Sequence, residues 1–349
     1  MAYTTIDNPL DYFETVIWTG NGSARDITVS HGTNWIWGKR RNGTNAHWLM
    51  DTVRGVDKRL ISSGTDVEDD PSTAILTAFN SNGFSLGTNS ECNLNGATYV
   101  GWSWKAGTSF TNDASSTGIG SIDSTGSVSD ASGFSIVSYT GTGSNGTIKH
   151  GLSTTPKMII QKNRDETQPW WTYVESIGAG GQLRLSGTDA EGSDGGVLWN
   201  STAPTSSVFS VGDNTGTNGS ADKCIAYCFA EKQGYSKFGS YTGNGNADGT
   251  FVYTGFKPAF VMRKRTDATA NWTIIDNKRD TFNLADAKLK PNLNEAENDD
   301  SSNGVDFLSN GFKTRTTDTE FNADGGTYIY MAFAENPFVT STGVPATAR

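Results

Sequence analysis

The chain has 349 residues, of which 35% are apolar and 11% aromatic, with 41 glycines and 10 tryptophans. That many rings excludes a disordered chain, and the length allows two or three domains. A formal net charge of −10 disfavours nucleic acid as a partner, and no apolar run is long enough to span a bilayer.

Residues 1–12 read as a polar lead, and residues 1–105 as that lead plus a first repeat. This repeat has short apolar segments at Val16-Ile-Trp18, Ile27-Thr-Val29 and Trp35-Ile-Trp37, and closes on Ala97-Thr-Tyr-Val-Gly-Trp-Ser-Trp104. Residues 106–131 are nearly all Gly, Ser, Thr, Asp and Asn, which predicts a linker or an extended arm lying on another surface. The second repeat, 132–233, has predicted strands at Ser135-Ile-Val-Ser-Tyr139, Lys157-Met-Ile-Ile160, Trp171-Thr-Tyr-Val174, Val208-Phe-Ser-Val211 and Cys224-Ile-Ala-Tyr-Cys-Phe229. The third, 234–338, has them at Ala259-Phe-Val-Met262, Trp272-Thr-Ile-Ile275 and Tyr328-Ile-Tyr-Met-Ala-Phe333. Residues 339–349 are expected to form a loose, flexible tail. The best helical candidate is Asp280 to Asn294, ended by Pro291.

About seven short strands per repeat, with turn signals throughout, predict an all-β protein. The expected architecture is three tandem antiparallel β-sandwich repeats of jelly-roll or lectin-like type. The closing strands are apolar on both faces, which places them centrally in their sheets.

Tyr139-Thr-Gly-Thr-Gly143 recurs as Tyr241-Thr-Gly-Asn-Gly245 and as Trp18-Thr-Gly-Asn-Gly22. No helix follows and Gly-Lys-Ser/Thr is absent, so this is a tight turn rather than a phosphate loop. His31 and His150 occupy matching places where the third repeat has Tyr253, a substitution that suits an aromatic holding a loop better than a general base. The turn after the third strand is basic in each repeat (Lys39-Arg-Arg41, Lys162-Asn-Arg164, Arg263-Lys-Arg265), and Trp48, Trp171 and Trp272 follow. These residues have two readings. Lys162, Arg164, Trp171, Arg263, Lys264, Arg265 and Trp272 suit anionic or sugar ligands, through charge pairing and stacking. The plainer reading is a solvated hairpin tip beside a core Trp. Acidic loops (Asp66-Val-Glu-Asp-Asp70, Asp189-Ala-Glu191, Glu295-Ala-Glu-Asn-Asp-Asp300) precede the penultimate strands. They lack a spaced calcium pattern, and salt bridges to the basic turns account for them as well as calcium does. No catalytic motif, metal-ligand spacing or cofactor signature stands out, so we expect no enzyme and no cofactor. A glycosidase carboxylate pair has no motif to betray it, so a polysaccharide depolymerase stays an alternative. Cys224 and Cys228 lie about 13 Å apart along one strand, too far for a bridge.

Phe134, Tyr139 to Gly143, Ile148, His150-Gly-Leu152, Pro156, Ile159-Ile160, Lys162, Arg164, Trp171, Tyr173 and Phe229-Ala230 form a pattern that resembles repeats in virion proteins of marine tailed bacteriophages, including cyanophages. The third repeat keeps most of it but loses the His, and the first departs furthest. The resemblance implies a virion location, after assembly in the host cytoplasm, as a structural or tail-fibre module. Residues 1–20 carry no secretory pattern, which fits release inside a virion better than a secreted carbohydrate-binding module. Expected partners are other virion proteins, further copies of the chain (a homotrimer, by analogy with fibres) and host-surface glycans. A capsid or head-fibre decoration with a purely structural role is the main alternative. Residues 1–131 are the expected anchoring end.

Overall fold

The alternation of apolar residues along the closing strands decides how the three repeats meet. In the computed structural model, which describes residues 2–300 and 303–347, each repeat builds a main antiparallel sheet. The closing strands are Thr98–Trp104, Lys223–Phe229 and Thr327–Pro337. Each lies between an opening strand (Phe13–Thr19, Phe134–Thr140, Ser236–Thr242) and a third strand (Trp35–Arg40, Met158–Asn163, Phe256–Arg265). A fourth strand (Trp48–Asp51, Trp171–Val174, Trp272–Asp276) flanks the third. The closing strands are thus central, as their two-sided apolar pattern predicts. A smaller sheet packs against each main sheet: Arg25–Thr28 with Gly83–Leu86 and Leu76–Asn80, Gly146–Lys149 with Val208–Val211, and Phe251–Tyr253 with Gly311–Arg315 and Gly304–Leu308.

Side chains alternate across a strand, so each closing strand serves two cores. Cys224, Ala226 and Cys228 face the second repeat's own core with Ile148, Phe209 and Val211. Ile225, Tyr227 and Phe229 face a core built by all three repeats. Val100, Trp102 and Trp104 of the first repeat and Ile329, Met331 and Phe333 of the third join them there. Phe13 stacks on Phe333 at 4.9 Å, Trp35 on Tyr227 at 4.3 Å, and Phe229 meets Phe238 at 5.8 Å. Every pair of repeats is therefore in contact, and the chain closes a ring around a shared aromatic centre. Each fully buried ring contributes roughly 2–3 kcal/mol of hydrophobic stabilisation.

The recurring Tyr/Trp-Thr-Gly-x-Gly turn is held by one buried Asn per repeat. Asn218 accepts from Thr142 N at 2.8 Å and donates to the carbonyls of Ser144 and Gly212 at 2.6 and 2.8 Å. Asn93 and Asn322 make the same three kinds of bond in the other repeats. A Cβ on Gly141 would lie 2.2 Å from the Gly219 carbonyl oxygen, and Gly143 has φ +68°, so both glycines of the turn are required.

Three sequence expectations are corrected. Residues 106–131 are not a free linker: Thr108–Asn112 and Ser124–Ser129 add two strands to the second main sheet. Thr108–Asn112 is the edge, Ser124–Ser129 pairs on both sides, and backbone pairing forms them with only Phe110 and Val128 packed on the core. Asp280 to Asn294 contains no helix. The Asp280 carboxylate instead accepts from the main-chain N–H groups of Asp286 and Ala287 at 2.7 and 2.6 Å, a local alternative to helical bonding. Over its described part the tail folds back, with Ser341 N donating to Asp7 at 2.6 Å; residues 348 and 349 lie outside the described residues. Cys92, Cys224 and Cys228 are free and buried. Among the described residues, no helix is long and apolar enough to cross a membrane.

Candidate functional site: joints between repeats and the clefts beside them

The basic turns and their tryptophans are interior parts of the ring, which corrects their reading as a ligand surface. Lys162, Lys264, Arg263 and Trp272 are at most 1% exposed, and Trp171 is 9% exposed. Trp171 packs in the second repeat's own core. Trp272 lies in the shared core and donates its ring N–H to the Arg184 carbonyl of the second repeat at 2.9 Å. Strand register makes Trp272 the counterpart of Trp170, not of Trp171, and Trp170 makes the matching bond to Ile61 of the first repeat at 2.7 Å. The Lys162 ammonium caps the carbonyls of Asn163 and Glu166 and reaches Thr65 of the first repeat. Lys264 does the same with Arg265 and Thr188, and burial lowers both lysines to about 8. The Arg263 guanidinium lies 4.2 Å over the Phe321 ring, and Arg265 pairs with Asp267 at 2.8 Å.

What these turns bind is the acidic loop of the preceding repeat. Glu68 N donates to Arg164 O at 2.8 Å, Glu191 N to Thr266 O at 2.7 Å and Glu297 N to Arg41 O at 2.7 Å. One main-chain bond thus repeats at all three joints, first to second, second to third and third to first. At two joints the Glu side chain completes a buried network. Glu68 takes Arg164 of the next repeat at 2.6 Å and Arg54 of its own at 3.0 Å. Arg54 in turn pairs with Asp51 at 2.6 Å, and the Tyr227 hydroxyl of the second repeat donates to Asp51. Glu297 takes Arg41 at 2.5 Å and Arg279 at 2.9 Å, Arg279 pairs with Asp276 at 2.6 Å, and Trp102 of the first repeat donates to Asp276 at 3.0 Å. Burial pushes the Glu68 and Glu297 carboxyls up, but the paired arginines outweigh it and hold both below the usual carboxylate range.

The third joint lacks this network. Val174 and Ile177 stand where the other repeats have Asp and Arg, and Thr266 replaces the turn arginine. On the facing closing strand Met331 stands in register with Trp102 and Tyr227, so no donor lacks an acceptor. Beside this joint, hollows of about 530 and 320 Å³ adjoin one another and share Ile177, Glu191, Thr266 and Thr327. Burial raises the Glu191 carboxyl pKa.

The repeat histidines support loops, as the sequence suggested. His150 accepts from Leu152 N at 3.2 Å and lies 3.1 Å from the Thr205 carbonyl, and burial drops its pKa to about 4. His31 bridges the Leu10 carbonyl and the Ser103 hydroxyl at 2.8 and 3.1 Å. Tyr253 differs: it is 53% exposed, with its hydroxyl 3.5 Å from that of Tyr3.

A further groove of about 450 Å³ lies on the second repeat, where the added strands widen its sheet. Thr111, Asp113, Asp123, Ser138, Arg164 and Lys223 line it. Of the predicted ligand residues only Arg164 reaches this groove, and it is already paired with Glu68. Among the described residues, no group of three or more His, Cys, Asp or Glu converges to hold a metal ion.

Sequence reading missed the Asp51–Arg54 and Asp276–Arg279 pairs. Their signal was present: Asp-x-x-Arg starting on the last residue of the fourth strand in the first and third repeats, and absent from the second. A model for a domain of unknown function, DUF7483, matches residues 8–337, and so takes in all three repeats as one unit. No curated protein matches the chain.

Proposed function

The chain belongs to the DUF7483 family, and we propose that it is a structural and adhesive component of a tailed-phage particle. The observation that carries this reading is the closed ring of three repeats. A single chain arranges like modules around a shared centre, as separate subunits do in a cyclic trimer. We read each main sheet with its small partner sheet as one sandwich of jelly-roll or lectin-like type. Such a body suits a tail fibre, an appendage or a head decoration, where other virion proteins hold it and outward loops meet the environment.

With the tryptophans inside, the host-glycan contact moves to the groove of the second repeat. Its hydroxyl and carboxylate lining fits sugar hydroxyls, and the inserted strands that widen it occur in that repeat alone. The burial of the basic turns also favours a second reading, a decoration whose role is purely structural. Antibody against residues 132–338, viewed on intact particles by electron microscopy, separates them. Tail labelling with blocked adsorption supports the adhesive role, and head labelling supports the decoration. Absence of the chain from purified particles would refute both.

A further inference from the structure

We infer that the cleft between the second and third repeats is a receptor for an arginine side chain offered by another protein. The inference is independent of the particle assignment. The repeats provide their own control. Three acidic loops share the pattern acid-x-Glu (Asp66-Val-Glu68, Asp189-Ala-Glu191, Glu295-Ala-Glu297), and all three Glu residues make the same main-chain bond to the next repeat's turn. At two of them the carboxylate takes a pair of guanidiniums, Arg54 with Arg164 and Arg279 with Arg41. At Glu191 both are missing, because Ile177 and Thr266 occupy the corresponding places. The loop has the docking bond and the carboxylate of the other two but neither cation.

Among the described residues no other cation fills the gap. Lys264 caps the carbonyls of Arg265 and Thr188, Arg265 pairs with Asp267, and Arg184 pairs with Asp189. Among the described residues the Glu191 carboxylate has no hydrogen-bond or ion-pair partner, and it is exposed at the mouth of the hollows. Ile177 lines the cleft with apolar surface for an aliphatic stem, and the carboxylate accepts the planar fork of a guanidinium through two parallel bonds. The occupant is a foreign arginine because the matching geometry, twice present in this chain, uses one.

The test uses the full chain and the probe peptide acetyl-Gly-Arg-Gly-amide, with citrulline and lysine analogues, followed by amide NMR shifts at Gly192, Thr266 and Thr327. We expect saturable shifts confined to the cleft and affinity at least about ten-fold weaker for the citrulline analogue and for E191Q. T266R, which supplies the guanidinium from within the chain, is expected to abolish probe binding. No saturable shift with wild type, or binding unchanged by E191Q, overturns the proposal. Equal affinity for the lysine analogue overturns the arginine assignment. Self-association of the wild type that E191Q removes would identify the occupant as a second copy and overturn the foreign partner.

Discussion

The three equivalent glutamates allow one substitution to be read in three settings. Glu297→Ala removes a carboxylate whose side chain is 9% exposed and which binds Arg41 and Arg279. Arg41 is 22% exposed and regains water, so its loss is small. Arg279 is wholly buried, but it keeps Asp276 at 2.6 Å and the Ile274 carbonyl at 3.0 Å. Stranding a buried charge completely costs about 3–5 kcal/mol and losing a charge-assisted bond about 1.5–3, so a partly supported Arg279 implies about 2–3 kcal/mol. Glu68→Ala has the same form, because Arg54 keeps Asp51, and the same cost is expected. Glu191→Ala removes an exposed, unpaired side chain and should stay within about 0.5 kcal/mol of wild type. An unfolding entropy of about 0.7 kcal/mol/K for a chain of 349 residues converts 2–3 kcal/mol into about 3–4 °C. Scanning calorimetry with urea titration measures the series. Equal losses at all three positions, or none at Glu68 and Glu297, would refute the assignment of the two networks.

Other consequences follow from the same geometry. Asn218→Ala leaves a main-chain donor and two acceptors without their partner and should cost about 2–4 kcal/mol in urea titration, whereas Asn145→Ala, on the exposed side of the same turn, should be near neutral. Gly141→Ala brings a methyl group against the Gly219 carbonyl oxygen and is expected to cost more than about 2 kcal/mol, or to prevent folding, as read by soluble yield and melting temperature. His150 has a folded pKa near 4, below its ordinary 6.5, so its stabilising effect is complete above about 6.5 and is lost as pH falls toward 4. His150→Gln should flatten the fall in stability over that window. Glu68 and Glu297 have lowered pKa values, so their contribution holds above the ordinary 4.5 and disappears as pH falls through the folded values, a second loss that the Ala variants should lack. Residues 132–233 alone would expose Phe134, Ile136, Tyr227 and Phe229 to water, so the excised repeat should aggregate or bind a hydrophobic dye, whereas the whole chain should unfold in one transition.

Strand content and the central place of the closing strands were legible in the sequence because they are local. A period of two, a Gly-x-Gly turn and a two-sided apolar strand act over a few residues each. The meaning of the outer strands 108–112 and 124–129 was not legible, because pairing at a sheet edge needs no apolar signal. Nor was the role of Lys162, Arg164, Lys264 and Trp272. Their residue types suit a glycan or the polar groups of a neighbouring repeat equally, and the chemistry of a cation or an indole N–H does not say which chain segment will meet it.

By itself the sequence determined that one module recurs three times and which features each copy keeps: the turn glycines, the basic turn and the acidic loop. Only the tertiary structure decided that basic turn and acidic loop belong to each other across neighbouring repeats, since at the two charged joints the partners lie 96 and 256 residues apart and burial emerges only when the ring closes. The same closure places the two positions without arginine, Ile177 and Thr266, at one joint. Val174, Ile177, Thr266 and Met331 are scattered along the chain and gathered at this joint in the fold, and the desolvation cost of an unpaired charge is why uncharged residues there go together.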